Sequence, residues 1–150
     1  MSVEQANLLM GGFGDVIGLA GLGLDEQGYA CLTFDDLTVN VEYEPMRDAL
    51  ALFSWLGGIR GDRAELFGEL LEANLRAHAT GDATLGYERS GDGIVIIDRL
   101  PLNGLDVARF QERLEAYLVM AEHWRRRLDR DEAAPQQGGA GDRLSHFLRA

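Results

Sequence analysis

The chain has 150 residues, a formal net charge of −11 and a sequence pI of about 4.6. This acidic balance disfavours binding to a phosphate backbone, so we do not expect a nucleic-acid-binding protein. All of its basic residues are arginine, which excludes a P-loop lysine and a lysine Schiff base. Hydrophobic residues make up 46% of the chain, which is typical of one folded domain.

Targeting signals and cysteine content point to the cytoplasm. No apolar run is long enough to cross a membrane, and the first ten residues lack the basic region of a secretory signal. Cys31 is the single cysteine, which is typical of a reducing compartment. Because Cys31 lies inside an apolar strand pattern, we predict a buried small hydrophobe and not a catalytic thiol.

The N-terminal half predicts one helix and three strands. Large apolar residues at helical spacing predict a helix over residues 3–19. Residues 29–34 and 37–43 predict a hairpin around an Asp-Asp turn, with clear apolar and polar alternation in the second strand. Residues 49–56 are apolar on both faces, and the Gly-Gly pair that follows favours a third strand over a helix.

Four glycines in the first helix, at positions 11, 12, 14 and 18, are unexpected. Each interior glycine weakens a helix by about 1 kcal/mol relative to alanine. They could admit the close approach of a strand or of cargo backbone, break the helix at Gly11-Gly12, or reduce stability at a binding site. Gly18 is expected to end the helix.

The C-terminal half predicts a helix, a hairpin and a long helix. Asp62 and Glu65 resemble a capping box that begins a helix ending near Thr80-Gly81. Residues 82–88 and 93–100 predict the hairpin, and a helix follows from about residue 106 to residue 128. Its apolar face has heptad spacing and comprises Val107, Phe110, Leu114, Tyr117, Ala121, Trp124 and Leu128.

The predicted order is α-β-β-β-α-β-β-α in one domain over residues 1–131. Strands joined by short turns predict an α+β fold with a twisted antiparallel sheet flanked by helices. Residues 132–142 form a Pro/Gln/Gly linker. The tail carries Leu144, Phe147 and Leu148, which are either disordered or occupy a groove when cargo is absent.

Catalytic and metal patterns are weak. No histidine pair has metal-ligand spacing and no CxxC occurs, so we predict no metal site. An enzyme would have to assemble Asp35, Asp36, His78 and Asp98 in one pocket with perturbed pKa values. Asn74 interrupts the apolar face of the second helix. It is either bonded to backbone within the core or a polar group that specifies a self-complementary interface.

Several stretches, taken in order, resemble the class I chaperones of bacterial type III secretion, and more narrowly the Tir-chaperone (CesT-like) family. The stretches are LLMGGFGDVIGL, LDEQGYACLTFDD, ELLEANL, TGDATLGYE, and DRLPL through FQERLEAYLVMAEHWRRRL. The resemblance spans residues 8–128. It implies a homodimer of the predicted fold, with no enzymatic activity and no cofactor.

The resemblance also implies a function and its partners. Such a chaperone binds a segment near the N-terminus of a secreted effector in extended form, keeps the effector soluble and secretion-competent, and presents it to the secretion ATPase. The alternative is a regulatory protein of the same fold that sequesters another small secretion component. Which of the two applies depends on the identity of the partner.

Candidate site residues follow from the same resemblance. The residues that match the cargo groove are Leu9, Phe13, Val16, Ile17, Leu32, Phe34, Val39 and Val41. The residues that match the dimer interface are Phe67, Leu70, Leu71, Asn74, Leu75, Leu85 and Tyr87. The pattern leaves open which of these side chains are core and which contact cargo.

Overall fold

The computed structural model describes residues 3–76 and 80–130, which form three helices and one five-stranded sheet. The helices are α1 (Val3–Ile17), α2 (Arg63–Leu75) and α3 (Val107–Arg130). The strands are β1 (Tyr29–Phe34), β2 (Leu37–Glu44), β3 (Ala49–Gly58), β4 (Thr84–Glu88) and β5 (Gly93–Pro101). The predicted order of elements is confirmed. His78 and the predicted linker and tail lie outside the described residues.

The sheet is antiparallel throughout, with the strand order β1-β2-β3-β5-β4. Both predicted hairpins are present, because β1 pairs with β2 and β4 pairs with β5. Between them, α2 carries the chain from β3 past β5 to the outer strand β4. The two outer strands, β1 and β4, therefore come from different hairpins.

The core lies between one face of the sheet and the helices α1 and α3. Six of the seven predicted heptad residues of α3 are buried, and Val107 is half-buried. The rings of Phe13 on α1 and Phe110 on α3 meet edge to face, with centroids 5.1 Å apart. Beneath them, the hydroxyl of Tyr117 donates to Ser54 Oγ at 2.8 Å, which pairs two polar atoms within the apolar core.

The glycines of α1 permit close packing by the chain itself. A Cβ at Gly14 would lie 2.5 Å from the carbonyl oxygen of Leu19 and 2.7 Å from Leu22 Cβ, and one at Gly12 would lie 2.8 Å from a Val107 methyl. The close approach is therefore made by the following loop and by α3. The predicted break at Gly11-Gly12 is wrong, because α1 continues to Ile17.

The end of α1 and the start of α2 are set by the predicted residues, whereas α2 ends at Leu75, before the predicted end near Thr80-Gly81. Gly18 has φ +77° and Leu19 N–H donates to the Gly14 carbonyl at 2.8 Å, as in a Schellman motif. At the start of α2, the Asp62 side chain accepts from Glu65 N–H at 3.1 Å. The side-chain cap of the first turn is thus confirmed.

The prediction that Cys31 is buried is wrong. The β1–β2 register places Leu32 opposite Val39, and both are buried against the helices. Since successive side chains of a strand point to opposite faces, Cys31 lies on the face away from the helices. It is exposed there.

Candidate functional site

At Leu85, the edge of β4 is closed by a side chain from α2. Asn74 Nδ2 donates to the Leu85 carbonyl at 2.8 Å, and its Oδ1 accepts from the Leu85 N–H at 2.9 Å. One asparagine therefore satisfies both outward backbone groups of a buried residue in an outer strand. The predicted alternative in which Asn74 binds backbone is confirmed, while a role in specifying a dimer stays a prediction.

The predicted dimer-interface residues divide into two groups. Leu70 and Leu85 are buried within the chain, and the half-buried ring of Phe67 lies 5.2 Å from the ring of Tyr87. By contrast, Leu71 and Leu75 are 70% and 84% exposed. We call these last two residues the α2 patch. The α2 patch extends the α2–β4 edge with apolar side chains that nothing in residues 3–76 or 80–130 covers.

A charged cluster connects the first turn of α2 to the turn between β4 and β5. Both terminal nitrogens of Arg63 donate to the Asp92 carboxylate, at 2.8 and 2.9 Å, and the Tyr87 hydroxyl donates to it at 2.6 Å. The guanidinium also lies 5.8 Å from the Phe67 ring centroid and 5.9 Å from that of Tyr87. Hydrogen bonds from Arg63 and Tyr87 lower the pKa of Asp92 to about 2.

The predicted cargo residues also divide by burial. Five of them belong to the core of the chain: Leu9, Phe13, Leu32, Val39 and Val41. Phe34 is half-buried, while Val16 and Ile17 are exposed near the end of α1. Leu8 and Leu19, 77% and 50% exposed, add apolar surface that the prediction missed because they lie outside the helical stripe of Met10 and Phe13.

The face of the sheet away from the helices carries a second apolar surface, whose residues are not among the predicted site residues. Phe53 opposes Ile97 and Trp55 opposes Val95 across β3 and β5, and all four side chains are half-buried. The Trp55 ring lies on the backbone of Gly93, where an added Cβ would be 2.0 Å from the ring. The apolar residues on both faces of β3 are the sequence signal for this surface.

The edge of β1 is open, unlike the edge of β4. Backbone groups of an antiparallel strand alternate toward and away from the partner strand. The backbone groups of Tyr29 point away from β2, since its N–H donates to Asp25 Oδ1 at 3.0 Å and its carbonyl accepts from Asp25 N–H at 2.8 Å. The backbone groups of Cys31 and Thr33 point in the same direction, and both residues are exposed. No described strand pairs with this edge.

The acidic residues considered for catalysis do not converge. Arg113 donates to both oxygens of the buried Asp98, at 2.7 and 2.9 Å, while Arg125 donates to both oxygens of Asp36, at 2.9 and 2.8 Å. These arginines are twelve residues apart on α3, about 18 Å along the helix axis, and each carboxylate is bound by its own arginine. The hydrogen bonds from Arg125 lower the pKa of Asp36.

Neither the cavity beside Arg109 and Arg113 nor a metal-type cluster provides a catalytic site in the described part of the chain. A cavity of about 360 Å³ lies between the end of β5 and the start of α3. The two arginines that line it, Arg109 and Arg113, donate to the Gly104 carbonyl and to Asp98. Within residues 3–76 and 80–130, no three histidine, cysteine or acidic side chains are grouped to hold a metal ion. In the same residues, no helix is long and apolar enough to span a membrane.

Solved structures with this fold include several complexes. The chain matches one in the ExsC–ExsE complex with a TM-score of 0.74 and 28% sequence identity, over 84% of this chain and 95% of that chain. A match in the HopA1–SchA chaperone–effector complex has a TM-score of 0.70 and 16% identity, over 84% and 98%. The complex of the Yersinia pestis type III secretion chaperone SycH with a stable fragment of YscM2 gives 0.65 and 19%, over 79% and 98%.

Sequence comparison places the chain in a family. A search of curated proteins finds no match. The model of the Tir chaperone protein (CesT) family, however, matches residues 9–125. This match runs from α1 into α3 and includes all five strands. The chain is therefore a member of the Tir chaperone protein family.

Proposed function

We propose that this protein is a homodimeric chaperone that binds an extended segment of a type III secretion effector and keeps that effector soluble and secretion-competent. The family match over residues 9–125 carries this proposal. The likeness to a chain of the HopA1–SchA chaperone–effector complex supports it at the level of the fold. Presentation to the secretion ATPase stays a prediction from the resemblance.

The open edge of β1 is the proposed place for the effector backbone. A strand that pairs there would meet the outward N–H and carbonyl groups of Cys31 and Thr33, and strand addition of this kind supplies affinity without reading sequence. The β4 edge offers no equivalent place at Leu85, because Asn74 already binds both of its backbone groups. The effector segment therefore extends the sheet on the β1 side.

Apolar side chains beside this edge would supply specificity. A strand added next to β1 places alternate side chains beside Leu32 and Phe34, on the face that the helices cover. Phe34 is half-buried and so has surface left to cover. Ordering an extended segment is entropically unfavourable, so an apolar contact of this kind is needed to stabilise the complex.

The α2 patch is the proposed centre of the dimer interface. Leu71 and Leu75 are exposed apolar residues beside an edge that Asn74 and the Arg63–Asp92 ion pair hold in place. A two-fold interface buries the same patch of both subunits, so a small patch contributes twice its own area to the interface. Introducing negative charge there should separate the subunits without disturbing the core.

Strand addition is tested with Thr33→Pro. Proline is tolerated in an outer strand whose N–H faces solvent, and it removes one of the donors that the effector would use. Thr33→Val is the matched control, because it keeps the N–H and the β-branched shape. The tagged variants are purified from native cells, and the eluted complexes are measured by native mass spectrometry.

The expected wild-type result is two copies of this chain with one larger protein, which protease trims to a short bound segment. Thr33→Pro should lose that protein while Thr33→Val retains it. Equal retention by both variants would refute strand addition at β1. A complex with another small secretion protein in place of an effector would favour the regulatory alternative.

The dimer is tested with Leu71→Asp and Leu75→Asp together, measured by sedimentation. Val119→Asp is the control, because Val119 on α3 is also apolar and 64% exposed. We expect the double variant to sediment as a monomer and the control as a dimer. A wild-type chain that sediments as a monomer would exclude the dimer.

A further inference from the structure

A groove between α2 and α3 has an apolar floor and a charged rim. Ala73 and Trp124 form its floor, and Glu69, Glu72 and Arg76 form its rim. Its volume is about 230 Å³, which is below the range of pockets for drug-sized ligands. The groove therefore suits one or two large side chains of a peptide segment better than a free small molecule.

The chain carries a peptide of the right kind after the end of the family match. Residues 143–150, RLSHFLRA, place Leu144, Phe147 and Leu148 at the i, i+3 and i+4 positions of one apolar face. A Pro/Gln/Gly stretch separates this peptide from α3. Since the family match ends at residue 125, the peptide is additional to the family's shared fold.

The length of the intervening chain allows this peptide to reach the groove. The helix rises about 9 Å from Trp124 in the groove floor to its end at Arg130. The twelve residues 131–142 are numerous enough to turn back by that distance, since an extended chain reaches about 3.3 Å per residue. Tethering on this scale gives an effective concentration on the order of millimolar.

Charge also favours this occupant. Residues 143–150 contain Arg143 and Arg149 and no acidic side chain. On the rim, Glu72 pairs with Arg76 at 3.4 Å, but both side chains are more than 60% exposed. Exposed ion pairs of this kind contribute little, so Glu72 is able to exchange its partner for an arginine of the peptide.

We propose that residues 143–150 dock into the groove between α2 and α3 of the same chain, with Phe147 and Leu148 over Trp124. Glu72 on the rim then pairs with one of the two arginines, since Glu69 is already bound by Arg127 at 2.7 and 2.8 Å. The docked peptide contacts α3 at Trp124 and α2 at the end that carries the α2 patch.

Hydrogen exchange on the full-length chain tests the proposal. We compare the wild type with Phe147→Ala/Leu148→Ala and follow amides of residues 69–76. Loss of the apolar contact should speed the exchange of these amides about tenfold. A factor of this size is expected when roughly half of one aromatic side chain becomes exposed to water. Gln136→Ala/Gln137→Ala is the matched control in the same part of the chain and should exchange like the wild type.

A second comparison separates docking from an effect within α2. Glu72→Arg should speed exchange in the wild type but add little in the Phe147→Ala/Leu148→Ala background, because the two changes would act on one contact. Glu115→Arg, an equally exposed charge reversal on α3, should leave residues 69–76 unchanged. Addition of the synthetic peptide RLSHFLRA to Phe147→Ala/Leu148→Ala should restore protection.

The proposal fails if Phe147→Ala/Leu148→Ala leaves the exchange of residues 69–76 unchanged, or if Glu72→Arg and the tail variant act additively. Protection that depends on protein concentration would place the peptide on the partner subunit and would also overturn docking within one chain.

Discussion

Replacing Asn74 by alanine removes the side chain that closes the β4 edge. Two hydrogen bonds to Leu85, at 2.8 and 2.9 Å, are lost together. Each contributes about 1 kcal/mol net, and Leu85 is 4% exposed, so water does not fully replace them. Alanine recovers about 0.5 kcal/mol through its higher helix propensity. The free energy of unfolding should therefore fall by about 1.5 kcal/mol, which lowers Tm by roughly 5 °C.

The measurement is urea and thermal denaturation followed by circular dichroism, at one fixed protein concentration because dimerisation would shift the transition. Asn103→Ala, in an exposed turn, is the matched control and should change stability by less than about 0.5 kcal/mol. Asn74→Asp keeps the acceptor for the Leu85 N–H and loses the donor, so it should also destabilise the chain. If Asn74→Ala were as stable as Asn103→Ala, the asparagine would not hold this edge.

Three further predictions concern packing and charge. Gly14→Ala should destabilise the chain by about 2 kcal/mol through overpacking. Gly68→Ala, where an added Cβ meets nothing within 4 Å, should stabilise α2 by about 1 kcal/mol. Chemical denaturation measures both changes. Arg113→Met should cost about 3 kcal/mol, because it leaves the carboxylate of Asp98 buried without its partner, and the further change Asp98→Leu should recover most of that loss. The pKa of Asp92 is lowered to about 2 from 3.8, so the ionised carboxylate stabilises the fold above about pH 4 and this contribution is lost as the pH falls toward 2. Asp92→Asn should therefore remove the loss of stability between about pH 4 and pH 2 from an acid-unfolding curve.

Periodicity was sufficient to predict the elements of this fold because each has a single dominant pattern. The heptad of α3 is buried at Phe110 and Leu114 and onward to Leu128, since a long helix on a sheet face needs one continuous stripe. For β3, a short apolar run followed by Gly57-Gly58 correctly favoured a strand. The helix boundary at Gly18 was predictable because a left-handed residue is needed there.

Burial was harder to predict, because it depends on which elements meet. Cys31 is exposed although its neighbour Leu32 is buried, because Cys31 faces away from the helices and β1 is an outer strand of the sheet. In α2, Leu71 and Leu75 look like core residues, but this helix packs along a sheet edge and buries only the narrower stripe of Leu66, Leu70 and Ala73. A local pattern does not contain this information.

The two edges of the sheet have different roles in the proposed function. An outer strand with free backbone groups invites pairing with any extended chain, and a chaperone that binds extended segments needs one such edge. Two open edges would allow subunits to polymerise edge to edge. In the proposed function, Asn74 occupies the outward backbone groups of Leu85 on β4, so the β1 edge, at Cys31 and Thr33, serves for pairing and the apolar surface of α2 for assembly. It follows that Asn74→Ala should increase concentration-dependent association beyond the dimer, which light scattering would detect, whereas Thr33→Pro should not.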